Sequence, residues 1–378
     1  MNSELEDKSG SHPLSQLYFY LTDSCNLRCR HCWMEPAYVA AKKALTALAP
    51  KLFATIIDQA LPMGLNHIKL TGGEPLLHPR IGELLTITRD KQIGVSVETN
   101  ATLCTPELSR MIAACKEVSV AVSLDGMDEV THDWIRGKEG CFHETLRGIE
   151  NLVNAGLRPQ VIMTVMRRNR DQIPAVIKLA ETIGAGSVKF NIVQPTARGV
   201  QMHARGETLT IEELIAIGTY VDNELSASTD LPLCFHHPAA FRGLGKMFGT
   251  NGDGCYCCGI LRILGVLADG AYALCGIGAT VPELVFGNAS RDSLSDVWLH
   301  NPVLEELRAG MPRQLKGTCS ICVMQQVCLG SCIAQNYYSS HDLWAPFWYC
   351  EEASRQGLFP ETRLRPGGLS LPSKGGVV

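Results

Sequence analysis

From Leu17 to about Asn191 the chain alternates short β-rich runs with longer amphipathic ones, and that alternation constrains the fold more than any other feature. The strand candidates are LYFYLT (17–22), HIKLTG (67–72), GVSVETN (94–100), VSVAVSLDG (118–126), PQVIMTVM (159–166) and SVKFNIV (187–193). Between them lie helical patterns such as LAPKLFATIIDQALPMG (48–64) and HETLRGIENLVNAG (143–156), the second closed by a glycine suited to a C-cap. Strands separated by helices build parallel sheets from right-handed βαβ crossovers. Six such units are too few for an eight-fold barrel. The expected architecture is therefore α/β, an open partial (β/α)6 barrel, with ligands at the carboxyl ends of its strands.

The remaining organisation follows from composition. The 378 residues, 46% of them hydrophobic, suffice for two or three domains with a real core. A net charge of −4 offers no basic footprint for nucleic acid. No apolar run reaches the roughly 18 residues of a membrane span. The N-terminus, MNSELEDKSGSHPLSQ, carries acids where a signal peptide would carry lysines and an apolar core, so a cytoplasmic protein is expected. The pattern predicts a flexible N-terminus (1–16), the barrel (17–200), a helical bridge (201–250), an irregular cysteine-rich domain (251–355) and a flexible tail (356–378).

Sixteen cysteines in a reducing compartment call for an explanation other than disulfides. Cys104, Cys115, Cys141 and Cys234 stand alone and read as small buried hydrophobes. The other twelve cluster, and clustered thiols in such a compartment indicate metal. Cys25-x3-Cys29-x2-Cys32 follows directly on the first strand, in SCNLRCRHCW (24–33). Structural zinc would want a fourth ligand close by, and His31, wedged between two cysteines, is expected to point away. Three thiolates on a [4Fe–4S] cluster instead leave one iron open. One βα unit later, LTGGEP (70–75) offers two glycines for close backbone approach and a carboxylate that can accept from an ammonium.

These motifs together resemble the radical S-adenosylmethionine (SAM) enzymes. The resemblance implies that Cys25, Cys29 and Cys32 hold a cluster whose open iron is chelated by SAM, and that Gly72, Gly73 and Glu74 meet the SAM amino group. Trp33, next to the last cysteine, would help seat the nucleoside. ETNAT (98–102), with Ala101 where the family has glycine, implies a SAM contact at Asn100. SLDG (123–126) implies Ser123 and Asp125 near the ribose and carboxylate. Arg136, in HDWIRG (132–137), is a candidate carboxylate clamp, since guanidinium matches carboxylate in a bidentate way. VQPTARG (193–199) resembles the end of the family's last barrel strand and carries no assigned role.

The C-terminal cysteines resemble the SPASM extension, an irregular iron–sulfur domain with two auxiliary [4Fe–4S] clusters. Cys319-x2-Cys322-x5-Cys328-x3-Cys332 is followed by Cys350 and preceded by Gly270-x4-Cys275. The resemblance assigns Cys319, Cys322, Cys328 and Cys350 to one cluster. It assigns Cys275 and Cys332 to the other, with the remaining ligands drawn from Cys255, Cys257 and Cys258. Three [4Fe–4S] clusters and SAM are therefore the expected cofactors.

SPASM enzymes mostly modify ribosomally made peptides, and some act on haem precursors. The implied function is reductive cleavage of SAM to a 5′-deoxyadenosyl radical that takes hydrogen from a precursor peptide and installs a crosslink, an epimerisation or a backbone excision. A haem precursor or other small molecule is the alternative substrate, and an electron carrier without SAM turnover the alternative class. Sulfatase-maturing members place aspartate after the cysteine matching Cys275, where this chain has Gly276, which disfavours formylglycine formation. The 16 residues before the barrel are too short for a winged leader-binding domain, so leader recognition is expected from a separate protein or the barrel. An electron donor such as flavodoxin or ferredoxin completes the expected partners. His236 and His237 read as structural.

Overall fold

The structure, a computed structural model, describes residues 12–41, 44–249 and 258–366. Cys255, Cys257, the N-terminus through residue 11 and the tail from residue 367 lie outside the described residues. The chain divides into two compact units: residues 1–210, 216–236 and 259–308, and residues 211–215, 237–258 and 309–378.

The first unit is built on one sheet. Six parallel strands follow chain order across it: β1 (Gln16–Tyr20), β2 (His67–Thr71), β3 (Gly94–Thr99), β4 (Lys116–Ser123), β5 (Gln160–Val165) and β6 (Ser187–Ile192). The helices between them are α1 (Pro50–Ala60), α2 (Ile81–Asp90), α3 (Pro106–Ala113), α4 (Glu129–Arg136), α5 (Cys141–Asn154) and α6 (Ile173–Thr182), and α7 (Arg198–Ala204) follows β6. The partial (β/α)6 barrel is thus present strand for strand. It is also longer than six: β7 (Leu233–Phe235) adds in parallel to β6, and β8 (Ile263–Val266) in parallel to β1. Beyond β8, β9 (Ala271–Ala273) and β10 (Val285–Asn288) continue antiparallel. These additions are three or four residues long, too short to show a periodicity in sequence.

Strand alternation decides the faces. Ile68 and Leu70 of β2, Val95 and Val97 of β3, and Val188 and Phe190 of β6 are buried, whereas Lys69, Glu98, Lys189 and Asn191 on the other side are partly exposed. The apolar side packs on the helices: Phe19 of β1 meets Phe53 of α1 with ring centroids 4.5 Å apart. Helix α1 begins with Pro50, whose missing N–H costs nothing there, and buries Phe53, Ile56, Ile57 and Ala60 at helical spacing. Gly156 follows α5 with φ +87°, as a C-cap glycine does.

The second unit has no comparable sheet among the described residues. Its helices are short: Gly317–Ile321, Gln325–Cys328, Ile333–Ser340 and Trp348–Arg355. Part of the expected flexible tail is packed here. Phe359 is buried edge-on to Phe241, where an apolar ring finds an aromatic partner within the unit, and Leu364 makes an isolated antiparallel bridge to Cys322. No helix among the described residues is long and apolar enough to cross a membrane.

Candidate active site at the strand ends

The loop after β1 carries Cys25, Cys29 and Cys32, and its neighbours hold it by main chain. Arg28 N–H and Arg30 N–H donate to the carbonyls of Arg136 (3.0 Å) and Ile135 (2.9 Å) at the end of α4. Gly73 N–H and Glu74 N–H donate to the carbonyls of Thr22 (3.0 Å) and Ser24 (3.1 Å). Thr22 Oγ1 donates to Ser24 O and reaches Glu74 O at 3.2 Å. The glycine requirement is physical here. Gly72 has φ +128°, and a Cβ on Gly73 would lie 2.0 Å from Ser24 O.

The Glu74 carboxylate is buried and accepts from Thr99 Oγ1 (2.6 Å), Asn100 N–H (2.9 Å) and Leu76 N–H (3.1 Å). Burial raises its pKa, and those donors work against the rise. Both carboxylate oxygens therefore tie β2 to β3. Asn100 Nδ2 donates to Asn26 Oδ1 (2.9 Å) and lies 3.9 Å from Cys25 Sγ. Its own Oδ1 accepts from Thr102.

On the other side of the loop Arg136 and Asp125 form a buried pair, Nη2 to Oδ2 2.8 Å. Arg136 Nη1 also donates to Cys29 Sγ at 3.6 Å. Burial opposes the guanidinium's charge, and Asp125 and the Cys29 sulfur outweigh it, raising its pKa. Asp125 Oδ1 accepts from Thr164 N–H at 2.7 Å. His31, expected to point away, lies with Nε2 3.7 Å from Asp125 Oδ2, and burial pushes its pKa down to about 4. His31 Nδ1, His132 Nε2 and Arg136 Nε are buried with no hydrogen-bond partner among the described residues.

Ser123 ends β4, opposite Ile162 of β5. Trp33 is partly buried, and its ring edge would be 2.9 Å from a Cβ on Gly276, with Tyr20 at 2.3 Å. The position after Cys275 is thus filled by two aromatic rings, which leaves no room for aspartate.

Sequence spacing missed Arg198. It lies in the VQPTARG stretch, and its Nη1 donates to Cys29 O at 3.1 Å and its Nη2 to Pro36 O at 3.3 Å. Backbone N–H of Arg198 adds a bond to Cys32 O at 3.3 Å. The resemblance of that stretch to a strand end was the only signal available.

The three thiols sense one another. Burial raises the Cys25 pKa, and Glu74, Cys29 and Cys32 raise it further. Burial raises Cys29 too, with Arg136 opposing and Cys32 adding. Burial and crowding favour the protonated thiols of Cys25 and Cys29 until a cationic centre binds them, and polar atoms of His31 and Arg136 without a hydrogen-bond partner among the described residues border the same loop. These residues fit an iron–sulfur cluster with a polar ligand beside it.

In the second unit Cys319, Cys322, Cys328 and Cys350 converge on one small cavity with Phe347 and Phe359. Burial pushes Cys319 up to about 12, with Cys328 and Cys322 adding. Cys350 is raised by burial and then by the other three sulfurs. Cys332 is raised by burial, with no thiol among the described residues adding to the rise. Cys258 is partly buried, and Cys275 is held in the first unit at the end of β9. The isolated Cys104, Cys115, Cys141 and Cys234 are all buried. His132, Asp133 and Cys141 also lie together. There, however, Asp133 caps α5, accepting from Gly140 and Phe142 N–H.

Fold and site together define a cofactor enzyme on a partial α/β barrel, with its chemistry gathered at the strand ends. Residues 19–180 match the radical SAM superfamily, and residues 255–323 match the SPASM iron-sulfur cluster-binding domain. An AdoMet-dependent heme synthase of Methanosarcina barkeri is 31% identical over 339 residues, covering 87% of this chain and 94% of the relative. A mycofactocin maturase, MftC of Mycolicibacterium smegmatis, is 28% identical over 367 residues, covering 95% and 88%. The crystal structure of Streptococcus suis SuiB bound to S-adenosylmethionine superposes with a TM-score of 0.70 at 18% identity, covering 90% of this chain and 78% of that one. The chain belongs to the radical SAM superfamily and carries a SPASM domain.

Proposed function

We propose that the protein is a peptide maturase that cleaves SAM reductively at a cluster held by Cys25, Cys29 and Cys32 and abstracts hydrogen from a ribosomally made precursor peptide. The observation that carries the first half is the three-thiol loop fastened by main-chain bonds to the Gly72–Glu74 loop and to the end of α4. A bound [4Fe–4S] cluster would supply the electron that breaks a carbon–sulfur bond of SAM and frees the 5′-deoxyadenosyl radical. The chain's own residues bind and orient. Gly72, Gly73 and Glu74 would meet the SAM amino group. Arg136 and Asp125, with Ser123, would border its carboxylate and ribose. Asn100 would hold the cysteine loop through Asn26, and Trp33 would flank the nucleoside.

Two further clusters belong to this reading, one on Cys319, Cys322, Cys328 and Cys350. The other would use Cys275 and Cys332, with Cys255, Cys257 and Cys258 supplying the rest. A flavodoxin or ferredoxin would be the electron donor, and a separate leader-binding protein a further partner. Likeness to a mycofactocin maturase supports the peptide substrate. Likeness to a heme synthase supports a second reading, action on a haem precursor.

Anaerobically reconstituted protein with dithionite and SAM is expected to form 5′-deoxyadenosine, measured by mass spectrometry. Cys29→Ala is expected to abolish that product while most C-terminal iron remains bound, and product persisting in this variant would refute the assignment. Mass spectra of a co-expressed candidate precursor peptide, against turnover of a propionate-bearing porphyrin, decide between the substrates.

A further inference from the structure

The surface around the cysteine loop, within the first unit, gathers positive charge that the site above does not use. Arg28 and Arg30 flank Cys29 in the chain, and both are exposed. Arg30 Nε donates to Trp134 O at 2.9 Å, and its Cζ lies 4.2 Å from the centroid of the Trp134 ring. Arg168, exposed in the loop after β5, brings its own Cζ to 5.0 Å from the same ring. Trp134 is a firm platform, because it packs on the buried Ile135, Met166, Val193 and Met202. Arg28 is placed over a second ring, Tyr38, at 5.1 Å.

Arg28, Arg30 and Arg168 form no ion pair with the described residues. Two carboxylates stand within electrostatic range, and both are already engaged. Glu207, near Arg30, is gripped by Arg205 at 2.8 and 3.1 Å. Asp128, near Arg168, caps α4 by accepting from Thr131 N–H at 2.8 Å, and accepts from Gln172 at 2.6 Å. Two guanidinium groups drawn from distant parts of the chain to one indole repel each other, and an anion beside them relieves that repulsion. A chain of net charge −4 thus concentrates unpaired arginines at the loop that carries Cys29.

We propose that Arg28, Arg30 and Arg168, ordered on Tyr38 and Trp134 beside Cys29, form the docking face for an acidic electron-carrier protein. This rests on the reading that Cys25, Cys29 and Cys32 hold a reducible cluster, and it deepens that reading by assigning where the electron enters. The reduced carrier loses one electron and the cluster gains it, with no covalent bond made or broken between them. Charge of this kind speeds encounter more than it tightens a complex. Redox encounters, which bury less than about 1,200 Å², are of that transient type. Position favours a carrier over an acidic peptide, since only the carrier has to approach a cluster ligand.

The test uses the reconstituted enzyme with SAM and two acidic probes, a flavodoxin and a [4Fe–4S] ferredoxin. Calorimetry at low salt is expected to show that one oxidised carrier binds. Arg30→Glu and Arg168→Glu should each weaken it about 10-fold, and Arg168→Lys should keep most of the affinity. The effect of both reversals should vanish near ~0.5 M salt, where screening confines charges to a few ångströms. Oxidation of the reduced carrier, followed by stopped-flow absorbance, should slow in parallel with the binding. Photoreduced deazaflavin, a small neutral reductant that needs no docking, should drive 5′-deoxyadenosine formation equally in all variants, which also shows that they fold. Failure of both carriers to bind, binding unchanged in the double reversal, insensitivity to salt, or equally tight binding of a hexaglutamate peptide would overturn the proposal. Absence of product with deazaflavin in the unaltered enzyme is the separate result that defeats the underlying radical reading.

Discussion

Arg136 answers to two groups at once, the Asp125 carboxylate and the Cys29 sulfur, from a side chain that is almost wholly buried. Removing one partner of such a pair strands the other charge, which costs about 3–5 kcal/mol. Arg136→Met is therefore expected to lower the denaturation midpoint sharply, and adding Asp125→Asn should recover part of the loss. Equal stability of Arg136→Met and the unaltered protein in urea titrations would contradict this account. His237 gives a second prediction. It is buried, stacks on Phe241 and has Nδ1 3.1 Å from Tyr349 Oη; burial first, and Arg242 second, push its pKa down to about 3. An unfolded histidine titrates near 6.5. The stability from a neutral His237 is thus fully present above that pH and declines as pH falls toward 3. Between pH 6.5 and 5 the loss should be about 2 kcal/mol, at about 1.4 kcal/mol per unit. His237→Leu should be less stable at pH 7 and show a flatter slope, measured as unfolding midpoints across that range.

At the scale of elements, the cysteine loop exists as a shape only because β2 and α4 hold it. Gly73→Ala would drive a Cβ to within 2.0 Å of the Ser24 carbonyl, which belongs to backbone and cannot turn aside. If Cys25, Cys29 and Cys32 hold a cluster as proposed, the variant is expected to lose that iron while keeping the C-terminal iron, read by iron analysis beside a C-terminal cysteine variant. The sequence made the six strands and the glycine loop legible because each spans enough residues to show a period or a motif. It did not show β7 to β10, whose runs are too short. Nor could spacing reveal that His31 turns inward to Asp125, or that Arg198 reaches back to Cys29. Those contacts join residues 94 and 169 positions apart, and no local pattern carries them.

The whole molecule combines two kinds of stability. The first unit has a continuous sheet with an apolar side packed on helices. The second offers short helices around four clustered sulfurs, three of them from buried cysteines. A unit of that kind draws its order from the metal it binds. Iron chelation is therefore expected to speed hydrogen exchange by orders of magnitude across residues 317–355 while β2 to β6 remain protected. Uniform loss of protection in both units would count against this division.

The bond from Arg136 to Cys29 spans 107 positions of chain, and that span sets a timetable for biosynthesis. A growing polypeptide presents Cys25, Cys29 and Cys32 on the order of ten seconds before the ribosome has made the arginine that clamps them. During that interval the thiols are exposed to oxidants and to stray metal ions. On the proposed function, delivery of a cluster to these thiols would therefore follow synthesis of the fourth βα unit. Oxygen during translation is a hazard that the finished barrel no longer faces in the same form.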